Sequence, residues 1–134
     1  MTDPAIAQSS LYDRVGGMAF FADLVGRFYA AVADDPVLRP LYPEADLGPA
    51  QRRLTLFLAQ YWGGPRTYDD ERGHPRLRMR HVPFAIGPSA RDHWLVHMRA
   101  ALAAVDPAPP SAAAAELDRY LEMAADAMQN RPAD

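Results

Sequence analysis

The sequence predicts an all-α domain, and the positions of the prolines are the first reason. The 134-residue chain has 13 prolines, and a proline inside a helix costs ~3 kcal/mol or more, so long helices must lie between them. The longest proline-free windows are 5–35, 50–64, 89–106 and 111–131. In each window apolar side chains recur with the period of a helix, and no stretch alternates convincingly as a strand. We therefore expect about six helices of unequal length around one core.

The apolar stripes define the individual helices. Gly16 and Gly17 divide the first window into a short helix and a long one, and Gly63 ends the helix of the second window. Ser89 and Asp92 have the spacing of a capping box at the start of the third. The stripes comprise Phe21, Leu24, Val25, Phe28 and Val32, then Leu54, Phe57, Leu58 and Tyr61, then Trp94, Met98, Ala101, Leu102 and Val105, and finally Leu117, Tyr120, Leu121, Ala124 and Met128.

Two proline-containing segments do not fit a plain helical bundle. We expect a tight turn region at 34–43 and a long loop at 63–75, followed by a short helix that stops at Pro83. Loops of this length in a compact domain are usually functional or mobile. These segments are therefore expected to form walls around a ligand.

Composition excludes several classes of function. One domain of ordinary globular composition is expected, with 49% hydrophobic and 23% charged residues. A net charge of −3 with interleaved signs argues against a nucleic-acid partner. No apolar run reaches the ~18 residues of a membrane span, and the first ten residues do not resemble a signal peptide, so we expect a cytoplasmic protein. The absence of cysteine excludes disulfides, iron–sulfur clusters and cysteine-bound zinc.

Four histidines remain as candidates for binding a transition metal, and His81, in the stretch LRMRHVPF, is the first of them. One interpretation is a surface histidine near a helix C-terminus, where the helix dipole favours a cation. The other is a ligand to haem iron. Leu77 and Phe84 would supply apolar contacts for the haem, while Arg78 and Arg80 would supply cations for its carboxylates.

His93 and His97 form a rival metal-binding pair. They are four residues apart, which places both imidazoles on one face of a helix. Zinc needs three or four ligands, and the sequence shows no third ligand nearby. The simpler interpretation is an exposed His93 and a His97 at the margin of the core, and His74 is expected to be a loop residue.

Three aromatic residues and one arginine are candidates for contacts with a ligand. Tyr29 follows Val25 by one turn, Trp94 begins an apolar stripe, and Tyr42 lies in the turn region. Each aromatic is either a large core residue or a hydrogen-bond donor to a polarised diatomic gas. Arg53 either lies on a solvated helix face or reaches a carboxylate at the ligand edge.

Five stretches of the chain resemble the truncated haemoglobins of group II, the O-type. They are LYDRVGG, FYAAVADDPVLRPLYP, FLAQYWGGPRTY, RGHPRLRMRHVPF and DHWLVHM, and the resemblance runs from about Leu11 to Asn130. It implies a two-on-two truncated globin fold around a haem b, in which the double glycines are hinges. We expect a disordered extension at 1–9, a globin domain at 10–131 and a C-terminal tail at 132–134.

The resemblance also implies roles for individual residues. His81 corresponds to the iron ligand, and Tyr29, Tyr42 and Trp94 correspond to polar aromatics on the distal side. Ala50 and Leu54 correspond to positions facing the iron. Because Ala50 stands where many globins have a distal histidine, the aromatics must supply the hydrogen bonds to the gas. The other expected haem contacts are Leu41, Arg53, Phe57, Tyr68, Leu77, Arg78, Arg80, Phe84, Ile86 and Met98.

The function implied is reversible binding of dioxygen, carbon monoxide and nitric oxide, in an oxygen-handling or detoxification role. A peroxidase or a nitric-oxide-converting enzyme would use the same pocket with a separate reductase, since 134 residues contain no flavin or nicotinamide domain. The sequence does not choose between a carrier and an enzyme, and a homodimer is compatible with either. A haem-free all-α binding module is the remaining alternative, and it would be colourless.

Overall fold

The computed structural model describes residues 10–81 and 84–131, with the backbone alone described at 77 and 78. Within these ranges the chain forms seven α-helices and one 3-10 helix, and no strand, so the all-α prediction is confirmed. The α-helices are α1 (Leu11–Val15), α2 (Met18–Ala33), α3 (Gly48–Tyr61), α4 (Thr67–Arg72), α5 (Leu77–His81), α6 (Pro88–Ala104) and α7 (Ser111–Met128), and the 3-10 helix is Arg39–Leu41.

Four long helices form the core in two pairs. Helix α2 packs against α3 and α6, and α6 packs against α7, which is the predicted two-on-two arrangement. The apolar stripe of α2 is buried throughout, and Phe21, Leu24 and Phe28 are completely inaccessible to solvent. Burying one such side chain contributes ~1.5–3 kcal/mol, so this stripe stabilises the packing of both pairs.

Glycines allow α1 to dock against the end of α3. Gly16 ends α1 with a φ of 101°, a left-handed conformation that glycine adopts without steric cost. Gly64 follows α3, and a Cβ at this position would lie 2.6 Å from the Tyr12 ring and 2.8 Å from the Ala59 carbonyl oxygen. The Tyr12 N–H donates to the Trp62 carbonyl at 3.0 Å. The close approach of the two helices therefore requires glycine at position 64.

Two local expectations are wrong. The segment 63–75 is not a continuous loop, because it contains α4, whose Tyr68 is buried in the core. The spacing of Ser89 and Asp92 placed the N-cap of α6 at Ser89, but the helix begins earlier, at Pro88, and its N-cap is Gly87. Proline is favourable in the first turn of a helix, where its missing N–H leaves no helical hydrogen bond unmade.

Several expectations fall outside the described residues. They concern the extension 1–9, the tail 132–134, the helix stop at Pro83, and the side chains of Leu77 and Arg78. Of the helices that the structure describes, none combines the length and apolar character needed to cross a membrane.

Candidate functional site

One large cavity lies among the long helices. Its volume is about 660 Å³, within the ~300–1,000 Å³ typical of small-molecule and cofactor pockets. Residues of α2, α3, α6 and α7 line it, together with the segments that precede α3 and follow α5. A cavity of this size in a small domain is therefore a candidate binding site for a ligand.

Three polar aromatic residues from separate elements meet at this cavity. Helix α2 carries Tyr29 on its buried stripe, α6 carries Trp94, and Tyr42 follows the 3-10 helix. The Tyr29 and Tyr42 rings meet edge to face, with centroids 5.5 Å apart. Phe28 connects the group to α6, since its centroid is 5.1 Å from that of Tyr29 and 5.6 Å from that of Trp94.

A hydrogen bond joins the hydroxyls of Tyr29 and Tyr42. Burial raises the pKa of Tyr29 far above its usual range, and the charge and hydrogen bond of Tyr42 raise it further. Burial also raises the pKa of Tyr42, whereas the hydrogen bond with Tyr29 lowers it. Because a phenol can both donate and accept, each hydroxyl can take either role in this pair, and the pair can also donate one hydrogen bond to a ligand in the cavity.

Helix α3 contributes a small and apolar wall to the cavity. Ala50, Leu54 and Phe57 follow one another at helical spacing and all line the cavity. The Phe57 ring packs edge to face against Tyr68 of α4, with centroids 5.6 Å apart. The small side chain at position 50 leaves space in the cavity and adds no polar group.

His81, the last residue of α5, also lines the cavity. Its ring centroid is 6.5 Å from that of Phe84. Asn130, a residue that the sequence analysis overlooked, fixes the chain around it. The Asn130 amide nitrogen donates to the carbonyls of His81 and Phe84 at 3.2 and 2.8 Å, and its oxygen accepts from the Ile86 N–H at 2.9 Å. These bonds attach the segment after His81 to the chain beyond α7.

The charged residues that line the cavity are mostly cationic. They are Arg53, Arg72, Arg80, Arg91 and Glu44. Arg53 donates to the Glu44 carboxylate at 3.2 Å. Arg80 donates to the main-chain carbonyls of Pro75, Arg72 and His74 at 2.6, 3.1 and 3.5 Å. The Arg72 guanidinium lies 5.9 Å from the centroid of the Tyr68 ring. The excess positive charge suits a ligand that carries carboxylates.

Most of the predicted site residues line this one cavity. They are Tyr29, Leu41, Tyr42, Ala50, Arg53, Leu54, Phe57, Tyr68, Arg80, His81, Phe84, Ile86 and Trp94. Met98 is completely buried and is not among the residues described as lining the cavity, so its contact with a haem stays a prediction. It lies one turn beyond Trp94 on α6 and packs within the hydrophobic core.

Helix α7 contributes a wall of the cavity that its sequence pattern did not predict. Its lining residues are Tyr120, Leu121, Ala124, Ala125 and Met128. Their helical period was visible in the sequence, but the period does not distinguish a stripe that packs on a helix from one that faces a cavity. The available signal was the pair of alanines, because small side chains on a buried stripe leave space.

His93 and His97 are not among the residues that line the cavity, and they have a third partner. The Asp35 carboxylate oxygen Oδ2 is 2.8 Å from His93 Nδ1 and 2.6 Å from His97 Nε2. Burial acts to raise the pKa of Asp35, but hydrogen bonds from both imidazoles and from the backbone lower it well below its usual range. The sequence showed no third ligand near this pair because Asp35 is 58 residues from His93 in sequence, and only the packing of the helices brings the carboxylate to the imidazoles.

The cavity has the properties of a haem site. It is lined mainly by apolar side chains, and it brings an imidazole together with arginines and with polar aromatic groups. Imidazole is a standard axial ligand of haem iron, and arginine suits the haem carboxylates. Since the chain contains no cysteine, it offers no thiol for covalent attachment, and a haem b is the type that fits.

Comparison with known sequences assigns the chain to a family. The model of the bacterial-like globin family matches residues 10–130. Group 2 truncated hemoglobin YjbI from Bacillus subtilis is 44% identical over 86 residues, which are 64% of this chain and 64% of the relative. The match therefore spans slightly less than two thirds of that relative's own length.

Solved structures agree with this assignment. A thermostable hemoglobin from Thermobifida fusca has a TM-score of 0.88 and 59% identity, covering 92% of this chain and 98% of that one. Hemoglobin from Chloroflexus aurantiacus has a TM-score of 0.88 and 52% identity, covering 92% of this chain and 100% of that one. The fold and the cavity define a haem protein built from two helix pairs. The chain belongs to the bacterial-like globin family as a truncated haemoglobin of group II, whose cofactor is a haem with iron.

Proposed function

We propose that this protein binds dioxygen, carbon monoxide and nitric oxide reversibly, with His81 as the protein ligand to the iron. The observation that carries this proposal is that His81, Tyr42 and Trp94 all line one cavity. A haem held by the His81 imidazole would supply an iron able to bind a diatomic gas.

The residues around His81 would hold and orient the cofactor. The three hydrogen bonds of Asn130 restrain the backbone on which the imidazole is placed. Arg53, Arg72 and Arg80 would meet the haem carboxylates at the cavity edge. Arg53 already interacts with Glu44, so a haem carboxylate would have to share this guanidinium or displace Glu44.

The polar aromatic residues would hold a polarised gas on the distal side. Tyr42 and Trp94 would donate hydrogen bonds, and Tyr29 would orient Tyr42 through the bond between their hydroxyls. Since burial raises the pKa of both phenols, both stay protonated at physiological pH. Ala50 provides no donor, so the pocket lacks a distal imidazole at this position.

A redox function with an external reductase is the second candidate, and one observation favours it. Tyr120 lines the cavity, and its ring centroid is 4.3 Å from that of Tyr61, which is 50% exposed. The two rings lead from the cavity to the surface and offer a route for an electron. If the route is used, Tyr61→Leu should slow reduction of the haem by an external donor, whereas an unchanged rate would remove this support.

Absorption spectroscopy tests the proposed gas binding directly. Protein purified from cells should have a Soret band that shifts on reduction with dithionite and shifts again under carbon monoxide. Replacing carbon monoxide with dioxygen and then removing dioxygen should restore the deoxygenated spectrum. A colourless protein that also fails to take up added haemin would contradict the proposal. Fractionation of the same cells tests the expected cytoplasmic location.

A further inference from the structure

A second cluster of metal-binding side chains lies outside the haem cavity, in Asp35, His93 and His97. Their ligand atoms all lie within 4.8 Å of one another, and no other group of three such residues is as close in the part of the chain that the structure describes. Asp35 lies two residues beyond the end of α2, and both histidines are on α6. The cluster forms because α2 packs along α6.

Burial and hydrogen bonds hold the Asp35 side chain in a fixed position, which favours metal binding. Its side chain is only 5% exposed. The carboxylate oxygen Oδ1 accepts from the backbone N–H groups of Val37 and Leu38 at 2.7 and 3.1 Å. These bonds fix the carboxylate and direct its other oxygen, Oδ2, toward the two imidazoles.

The two histidines can adjust to an ion, because the solvent reaches both. The His93 side chain is 40% exposed and the His97 side chain is 26% exposed. Tetrahedral zinc, at ~2.0–2.1 Å from nitrogen and oxygen ligands, holds its ligand atoms ~3.3 Å apart. The imidazole nitrogens now lie 2.8 and 2.6 Å from Oδ2, so each must move outward by roughly half an ångström. Water can reach the fourth position from the exposed side.

We propose that Asp35, His93 and His97 form a zinc site that is separate from the haem. Two imidazoles, one carboxylate and a water molecule are ligands of the kind that zinc takes in proteins. Nickel and copper bind similar ligand sets in the Irving–Williams order, so these ions would compete for the site in vitro. The bound ion would connect the end of α2 to α6, the two helices that carry Tyr29 and Trp94.

The test counts metal ions in the haem-loaded protein. After treatment with a chelator, the protein is dialysed to equilibrium against zinc, and bound zinc and iron are measured by atomic emission. Wild type should bind one zinc per chain. His93→Gln and His97→Gln retain a hydrogen-bonding side chain but lack the imidazole. Each should weaken zinc binding by at least the ~10- to 100-fold that loss of an outer-shell partner causes.

His74→Gln is the matched control, because His74 is exposed and lies in the segment between α4 and α5. It should bind zinc as wild type does, and zinc should raise the melting temperature of both proteins but not of His97→Gln. A wild type that binds no zinc overturns the proposal, as does equal binding by all four proteins. An intact Soret band in each variant would show that it is folded, so the result is independent of the gas-binding proposal.

Discussion

At the residue scale, the polar groups of Tyr42 and Trp94 are the proposed hydrogen-bond donors to a bound gas. The Tyr29 hydroxyl interacts with that of Tyr42. Tyr42 and Trp94 both line the cavity, and each side chain carries one donor hydrogen. We therefore expect these two side chains to determine the rate at which bound dioxygen dissociates.

Removing the indole N–H should shorten the residence of dioxygen. A hydrogen bond to a charged or partly charged acceptor contributes ~1.5–3 kcal/mol, and ~1.4 kcal/mol is a factor of ten in an equilibrium constant. Trp94→Phe should therefore accelerate dioxygen dissociation ~10- to 100-fold. Carbon monoxide is less polarised when bound, so its dissociation should change less. Stopped-flow measurements of both gases check this expectation.

Tyr42→Phe is the companion variant, because it removes the other donor while keeping the ring. If Trp94 only fills space, Trp94→Phe should change the rates for both gases to a similar extent. An unchanged dioxygen dissociation rate in both variants would leave Tyr29 as the remaining donor and contradict the assignment of Trp94. Association rates need separate measurement, because the smaller ring in Trp94→Phe also widens the path by which the gas enters.

The arginines at the cavity edge should affect haem retention only modestly. A partly exposed ion pair contributes ~0–1 kcal/mol, so Arg53→Ala, Arg72→Ala and Arg80→Ala should each accelerate haem loss by no more than roughly fivefold. Transfer of haem to an acceptor protein gives the rate. Arg27→Ala, whose partner is Asp23 on the surface of α2, is the control. Rates equal to the control in all three variants would show that no carboxylate pairs with these arginines.

At the scale of elements, the short helix α5 depends on a residue far along the chain. Asn130 is 49 residues from His81, and its side chain makes three of the hydrogen bonds that attach the segment after α5, beside two from the backbone N–H groups of Asn130 and Arg131 to the Ile86 carbonyl. Neither the polar character of Asn130 nor its position near the chain terminus indicated this role. Such a contact depends on the tertiary fold and could not be predicted from local sequence patterns.

Asn130→Ala should loosen the element that carries the iron ligand. Each hydrogen bond contributes ~0.5–1.5 kcal/mol net, so the variant should lose ~1.5–4 kcal/mol of stability and release haem faster. Asn130→Asp keeps an acceptor for the Ile86 N–H but turns a carboxylate oxygen toward the carbonyls of His81 and Phe84, and it should lose at least as much stability as Asn130→Ala because acceptor faces acceptor. Haem-loss rates and melting temperatures that match those of Gln129→Ala would contradict this role.

The contact between α1 and the end of α3 gives a second prediction at this scale. Gly64→Ala places a methyl group against the Tyr12 ring and the Ala59 carbonyl, and overpacking of this kind costs ~1–3 kcal/mol. The melting temperature should fall by several degrees. In contrast, Gly26→Ala meets only the end of the Gln51 side chain and improves helix propensity by up to ~1 kcal/mol. Equal melting temperatures for the two variants would contradict the packing described for α1.

At the scale of the whole molecule, local patterns predicted the fold better than the site. Proline positions and apolar stripes located the four long helices, because a helix interior excludes proline and one face must be buried. The helix α4 was missed, since six residues are too few for a periodic pattern to emerge. Asp35 was not predicted as the partner of His93 and His97, because only the packing of α2 on α6 brings its carboxylate close to the two imidazoles.

The same limit applies to the cavity. The stripe of α7 was recognised as helical, but nothing in its period indicated that Tyr120 and Ala124 face an open space. The residues expected on the distal side came from the family resemblance and not from spacing alone. Met98 shows that a shared stripe does not ensure a shared environment. It lies on the same stripe as Trp94, but it is completely buried in the core.

The most direct test of the central claim measures haem retention in four histidine variants. If His81 is the only protein ligand to the iron, His81→Gly should purify with little or no Soret absorbance, and added imidazole should restore haem binding by occupying the space left by the side chain. His74→Gly, His93→Gly and His97→Gly should retain the Soret band of wild type. A His81→Gly variant that retains haem without imidazole, while one of the other three loses it, would contradict the assignment of His81.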